Sequence, residues 1–229
     1  MEMPTPNKKT AAFFDLDRTL IPFNSALKYA QFERREGRLS LPQLVRSAFW
    51  SFLYHLNVLD LEETYIKALK HYRGEHDSVL RERTNRWFNA EVINRLQPGA
   101  VKALESHRKQ DHFIVLLTNS SCYVAEIATK TWKMDAWLAN HFPLDDKGNL
   151  TGGINRPLCY GEGKVVRSQK LAMKHHINLE DSYFYTDSYS DLPMLKIVGH
   201  PCIINPDPRL KRTAKKENWP ILDWKTVVS

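Results

Sequence analysis

Two aspartates on alternate residues, Asp15 and Asp17, stand at the end of the apolar run Ala11 to Phe14 in the segment FFDLDRTL. A carboxylate can attack as a nucleophile or carry a proton, and a close pair divides these roles when its two environments hold the pKa values apart. Further along, HFIVLLTNSS is a second apolar run, ending in Thr118, Asn119 and Ser120. A hydroxyl and free backbone N–H groups at such a turn suit a phosphate oxygen. The segment GEGKVVRSQKL then puts Lys164 at the start of a helical stretch. An ammonium there can neutralise an attacking carboxylate and the phosphoryl oxygens. In SYFYTDSYSDLPML a third apolar run leads into Asp187, Ser188 and, four residues on, Asp191. Asp15 and Asp187, once brought together, supply hard oxygen ligands of the kind Mg2+ takes.

Each of these groups follows an apolar run, so strands must deliver them. The runs at 11–15, 113–118, 183–187, 201–204 and 220–223 read as strands. Helical patterns fill 123–138, 164–176, 190–198 and 208–217. The alternation predicts an α/β fold, a Rossmann-like doubly wound parallel sheet with helices on both faces. Catalytic groups then collect at the carboxyl ends of the strands. The stretch FPLDDKGNLTGGI predicts a small hairpin beside this core, turning at D-K-G-N. Residues 21–95 break the alternation, with helical periodicity and no clear strand.

In the order and spacing of FFDLDRTL, LLTNSS, the Lys164 region and YTDSYSDLP, the chain resembles the haloacid dehalogenase-like hydrolases, and among them the phosphoserine phosphatase-like subfamily. The resemblance covers residue 11 to about residue 207. It implies a core made of residues 1–20 and 96–229, with an all-helical cap domain inserted at 21–95. It also implies roles. Asp15 is the nucleophile that forms an aspartyl-phosphate and a ligand of Mg2+. Asp17 is the acid/base, with its backbone carbonyl on the metal. Thr118 holds the transferring phosphoryl group and Lys164 orients Asp15. Asp187 is the acidic metal ligand, and Asp191, Asn119 and Ser188 support the site. An acid at Asp17 points to phosphatase or phosphotransferase chemistry, because an alkoxide leaves poorly unless a neighbour protonates it. Dehalogenating members lack an acid there, and ion-pumping ATPases carry a threonine. Phosphoserine phosphatases also place an acidic residue nine positions after the nucleophile, for the substrate's amino group. Here that position is Asn24. Asn24 and Arg18 are the substrate-contact candidates.

The 229 residues suffice for one core with an insertion, and 26% charged against 42% hydrophobic residues is ordinary for a globular chain. The first ten residues are polar and lack the apolar stretch of a secretory signal. Cys122, Cys159 and Cys202 have no zinc spacing, so free thiols and a cytoplasmic location are expected. The segment Ser47 to Leu59, SAFWSFLYHLNVL, is too short for a bilayer, which needs roughly 20 residues. It reads as a helix buried in the cap, or as an apolar face for a lipid-like leaving group or the membrane surface beside Arg34, Arg35, Arg38 and Arg46. The net charge of +7 and the basic run from Arg209 to Lys216 read as a solvated helix face that also steers phosphorylated substrates inward. Zinc finger, RNA-stacking motif and glycine-rich nucleotide loop are all absent from the sequence, so nucleic acid is not the expected partner. The partner expected is a small phosphate ester, with a lipid phosphate as the alternative.

Overall fold

The computed structural model describes residues 9–42, 66 and 69–225. The segment Ser47 to Leu59, Tyr65, Lys67 and the first eight residues lie outside these. Six strands form one sheet: β1 (Ala11–Phe14), β2 (Phe113–Ser121), β3 (Ala136–Asn140), β4 (Tyr183–Thr186), β5 (His200–Ile204) and β6 (Ile221–Leu222). Their order is β3-β2-β1-β4-β5-β6, and every neighbouring pair is parallel. The described helices are α1 (Ser25–Arg35), α2 (Asp77–Glu91), α3 (Pro98–Lys109), α4 (Cys122–Thr131), α5 (Glu162–His175), α6 (Leu192–Leu195) and α7 (Pro208–Lys216).

All four residues of β1 are fully buried, as a central strand covered on both faces requires. Successive side chains of a strand point to opposite faces, and the core divides accordingly. Ala12 and Phe14 join Ile114 and Leu116 under residues of α2, α3 and α4. Ala11 and Phe13 join Val115 and Leu117 under residues of α5, α6 and α7. Each fully buried Phe contributes roughly 1.5–3 kcal/mol. The central strand thus locks both layers against one axis and fixes where its carboxyl end lies.

One expected element divides into two. The pattern at 123–138 predicts a continuous helix, but α4 ends at Thr131 and β3 begins at Ala136. Lys133 turns left-handed (φ 51°), which stops the helix. Asp135 then accepts from Ile114 N at 2.7 Å and donates its own N–H to Ile114 O at 2.9 Å, drawing the chain alongside β2. Trp132 and Met134 imitate the helical repeat because both are buried after the helix has ended.

The helices described between residues 21 and 95 pack on the β1 face, where Phe32, Trp87 and Phe88 share a cluster with Phe14 and Leu16. A buried ion cluster ties α1 to α2. Arg83 holds both carboxylate oxygens of Glu75 at 2.6 Å and pairs with Glu33 at 2.6 Å. The expected turn is present as a bridged loop. Leu144 pairs with Leu150, and Asp145 Oδ1 accepts from Lys147 N and Asn149 N. Gly74, Glu75 and Asp77 bond the main chain of this loop, so it meets the start of α2. Among the described residues no helix is long and apolar enough to cross a membrane.

Two features of the packing have measurable consequences. A Cβ on Gly163 would lie 1.7 Å from the carbonyl oxygen of Leu158, so only glycine lets α5 begin where it does. Gly163→Ala is expected to cost about 1–3 kcal/mol, seen as a lower Tm. Second, His107 is 3% exposed and bonds Tyr185 Oη at 2.9 Å and His112 Nδ1 at 2.8 Å. Burial, then the neighbouring His112, pushes its pKa down to about 4. The unfolded chain therefore binds a proton that the folded chain refuses. The stabilisation is complete above about pH 6.5 and is lost as pH falls toward 4, by about 3 kcal/mol. Denaturant midpoints of wild type and His107→Gln across this range should converge on acidification by about that amount. Parallel curves would remove the effect from His107.

Candidate active site

The site forms where β1 ends. Asp15 N donates to Tyr185 O at 2.9 Å, so the β1–β4 pairing extends one residue past the strand and sets the Asp15 carboxylate beside the end of β4. The chain then coils tightly. Leu20 N bonds Asp15 O, Ile21 N bonds Leu16 O, and Arg18 takes a left-handed backbone (φ 60°). A side chain with a Cβ pays about 1–2 kcal/mol in that region. Gln97, just before α3, holds the strained turn by donating Nε2 to Arg18 O at 3.1 Å and Thr19 O at 2.6 Å. Asp17 emerges from this turn half-buried, and Ser25 N, at the first turn of α1, donates to its Oδ1 at 2.9 Å.

Lys164 arrives from the first turn of α5. Its Nζ is 2.8 Å from Asp15 Oδ1 and 2.8 Å from Asp191 Oδ2, and the lysine is 2% exposed. Thr186, the last residue of β4, donates its hydroxyl to the same Asp191 Oδ2 at 2.6 Å. Thr186 Oγ1 also accepts from Ser188 N at 3.2 Å. Asp191 Oδ1 is buried with no partner among the described residues. Asp187 follows Thr186 and lies 7% exposed at the carboxyl end of β4, next to Asp15.

The end of β2 lies beside this cluster. Thr118 is 1% exposed and its Oγ1 accepts from Ser120 N at 3.1 Å, which leaves the hydroxyl hydrogen to donate elsewhere. Ser120 Oγ lies 2.9 Å from Ser25 Oγ, joining this loop to α1. Asn140, at the end of β3, donates to Asn119 O at 2.7 Å and Asn119 Oδ1 at 2.9 Å. Its own Oδ1 accepts from Cys159 N at 2.7 Å, tying the loop before α5 to the β2 end.

The electrostatics follow from this crowding. Burial pushes Asp15 up to about 7, with Lys164 pulling down and Asp191 pushing up. Surrounding protein pushes Asp17 up to about 6 against the bonds from Ser25. Asp187 is raised well above the usual carboxylate range by burial and then by the charge of Asp15. Lys164 loses hydration by burial, yet Asp15 and Asp191 hold it firmly protonated. One ammonium does not balance so many carboxylates. Among the described residues no three His, Cys, Asp or Glu side chains form a ready-made metal cluster. Mg2+ asks for less, because it keeps several waters and takes one or two carboxylates. The buried Asp15 and Asp187, with no lysine left to neutralise Asp187, fit that demand, and the carbonyl of Asp17 lies in the same turn.

The structure brings Asp15, Asp17, Lys164, Asp187 and Asp191 into one cluster, with Thr118 and Asn119 at the neighbouring strand end. Ser188 caps the turn Tyr189–Asp191 through Ser190 N. Asn24 is the N-cap of α1, and its Oδ1 accepts from Leu27 N at 2.9 Å. Arg18 is exposed at the rim. Four residues escaped the sequence reading. Ser25 holds Asp17, Gln97 holds the Arg18 turn, Thr186 holds Asp191, and Asp207 fastens the loop that carries Asp187. The carboxylate of Asp207 accepts from Tyr189 N at 2.6 Å and caps α7, while its N–H donates to Asp187 O at 2.9 Å. The segment PDP before a helical run was a visible capping signal for Asp207. Ser25 and Gln97 carried none, because their partners are set by tertiary packing.

The chain is similar to several known proteins. A probable phosphatase of Mycobacterium tuberculosis is 28% identical over 229 residues, covering 98% of this chain and 78% of its own. A histidinol-phosphatase of Neisseria meningitidis is 24% identical over 225 residues, covering 95% of this chain and 100% of its own. Among solved structures, a Bordetella pertussis protein of unknown function superposes with a TM-score of 0.85 at 28% identity, covering 95% of this chain and 100% of that one. A phosphoserine phosphatase, solved as a phospho-aspartyl intermediate analogue, superposes with a TM-score of 0.69 at 19% identity, covering 96% and 95%, and shares the fold. Residues 12–196 match the family described as haloacid dehalogenase-like hydrolase, and the chain belongs to that family.

Proposed function

We propose that this protein is a phosphomonoesterase that passes the phosphoryl group of a small phosphorylated metabolite through Asp15 to water. The observation that carries the reading is Lys164 Nζ, bonded at 2.8 Å to Asp15 Oδ1 and to Asp191 Oδ2 beside the protein-held acid Asp17. With Oδ1 occupied by the lysine, the other oxygen of Asp15 faces the phosphorus. A bond forms from it to phosphorus as the ester P–O bond breaks, and Asp17 gives its proton to the departing oxygen. Asp17, now a carboxylate, takes a proton from water, whose oxygen attacks phosphorus and frees Asp15 and phosphate. Thr118 Oγ1–H and Lys164 bind the phosphoryl oxygens through both steps. Mg2+, held by the carboxylates of Asp15 and Asp187 and the carbonyl of Asp17, supplies charge neutralisation when bound.

Residues 21–95 act as a cap over the core of 1–20 and 96–229 in this reading. The cap's place is to exclude water and read the leaving group. Its attachment to Asp17 through Ser25, and to the phosphate loop through the Ser25–Ser120 contact, supports that division of labour. The cytoplasm is the location that goes with a small polar ester.

Mg2+-dependent phosphate release is expected from a panel holding phosphoserine, histidinol phosphate, sugar phosphates and lysophosphatidate. Asp15→Asn should abolish it with the Tm preserved; turnover by this variant would exclude Asp15 as nucleophile. Asp17→Asn should slow an alkyl phosphate at least about a hundredfold, and p-nitrophenyl phosphate much less, because a nitrophenolate leaves without a proton. Equal losses on the two esters would take the acid role away from Asp17. A strong preference for lysophosphatidate would move the substrate class to lipids.

A further inference from the structure

Arg18 occupies a left-handed turn (φ 60°) that glycine would enter freely. Backbone strain kept at a functional site points to a use for the side chain. The turn is held on purpose, by Gln97 on two carbonyls and by the bond from Arg18 N to Phe23 O at 3.2 Å. The side chain itself is exposed, and its guanidinium makes no ion pair or hydrogen bond among the described residues. Its charge nevertheless acts on both Asp17 and Asp187. A guanidinium next to a cluster of carboxylates, yet paired with none of them, is a free bidentate donor at the mouth of the site. Lys164, the other cation that the described residues bring to these carboxylates, is buried and committed to Asp15 and Asp191. On the opposite count, Asn24 offers an ammonium on the leaving group no negative charge, and its oxygen already accepts from Leu27 N.

Resting on the phosphatase reading above, we propose that Arg18 is a specificity-determining residue that binds a second anionic group on the leaving group, so that the substrate is a phosphate ester of a small hydroxy acid or of an alcohol carrying another phosphate. Asp17 must approach the departing oxygen, and Arg18 is the next residue along the chain. The anion it grips therefore lies on the leaving group, within a few bonds of that oxygen. The transferring phosphoryl group is left to Lys164 and Thr118.

The test compares phosphoglycolate, whose leaving group carries a carboxylate, with phosphoethanolamine, whose leaving group carries an ammonium. Wild type should favour phosphoglycolate in kcat/KM. Arg18→Gly relieves the left-handed strain and is expected to keep or raise the Tm, so folding does not confuse the result. It should lower the phosphoglycolate-to-phosphoethanolamine ratio at least about tenfold, chiefly through KM for phosphoglycolate. Arg18→Lys, which keeps the charge but not the fork, should recover part of the ratio. Bisphosphorylated and monocarboxylate esters distinguish the two sources of the anion, since the one bound through Arg18 loses more in the variant. Equal losses on both esters would mean that Arg18 serves the phosphoryl group or the fold, and no change would mean that it faces solvent; either overturns the proposal. Absence of turnover by wild type on every ester, with Asp15→Asn as the blank, would instead defeat the phosphatase reading itself.

Discussion

Buried carboxylates repel one another and lose their hydration, and the core of this molecule is arranged to make that tolerable. Lys164 Nζ lies between Asp15 and Asp191, each 2.8 Å away, and all three residues are buried. Removing the ammonium would leave both carboxylates with no counterion in a medium where that costs several kcal/mol. The position of the ammonium therefore dictates much else. α5 must begin against the Leu158 carbonyl, which demands Gly163. Thr186 must end β4 with a hydroxyl aimed at Asp191. Asn140 must tie the chain before α5 to the end of β2.

The remaining negative charge gives the site its chemistry. Asp187 has no lysine, and its proton affinity is raised by burial and by Asp15. A hard divalent cation is the natural answer to such an excess. Asp17 differs because it is only half-buried and takes its hydrogen bond from a main-chain amide of α1. Two carboxylates separated by a single residue thus sit in unlike surroundings, one clamped to a cation and one held by a helix start. Such a contrast is what the proposed division into nucleophile and proton carrier requires.

Much of this was legible in the chain itself. The apolar runs ending in Asp15, Thr118 and Asp187 announced strands whose carboxyl ends carry chemistry, and burial on both faces of β1 follows from AAFF having no polar residue. The strand at Ala136–Asn140 was hidden because Trp132 and Met134 continue the spacing of α4. What ends that helix is the left-handed Lys133 and a side-chain bond from Asp135 to β2, neither of which periodicity records. Ser25 and Gln97 were hidden for a related reason. Each acts through a hydrogen bond to a residue distant in sequence or across a turn, and short-range pattern says nothing about such pairings. Asn24 shows the converse: its position matched a substrate contact, while its local geometry is that of a helix cap.

The Lys164–Asp15 contact joins residues 149 positions apart, and the sheet between them pairs only parallel strands. Parallel pairing needs long crossovers, so closing those loops costs chain entropy before any contact repays it. The cluster cannot assemble on part of the chain, because Asp15 and Asp17 lie near the start of the sequence while Lys164, Asp187 and Asp191 come from its later part. During refolding, secondary structure and compactness can therefore recover before Asp15 meets Lys164. Turnover in such an architecture reports the completion of the whole core, and a population of molecules will regain its shape earlier than its catalysis.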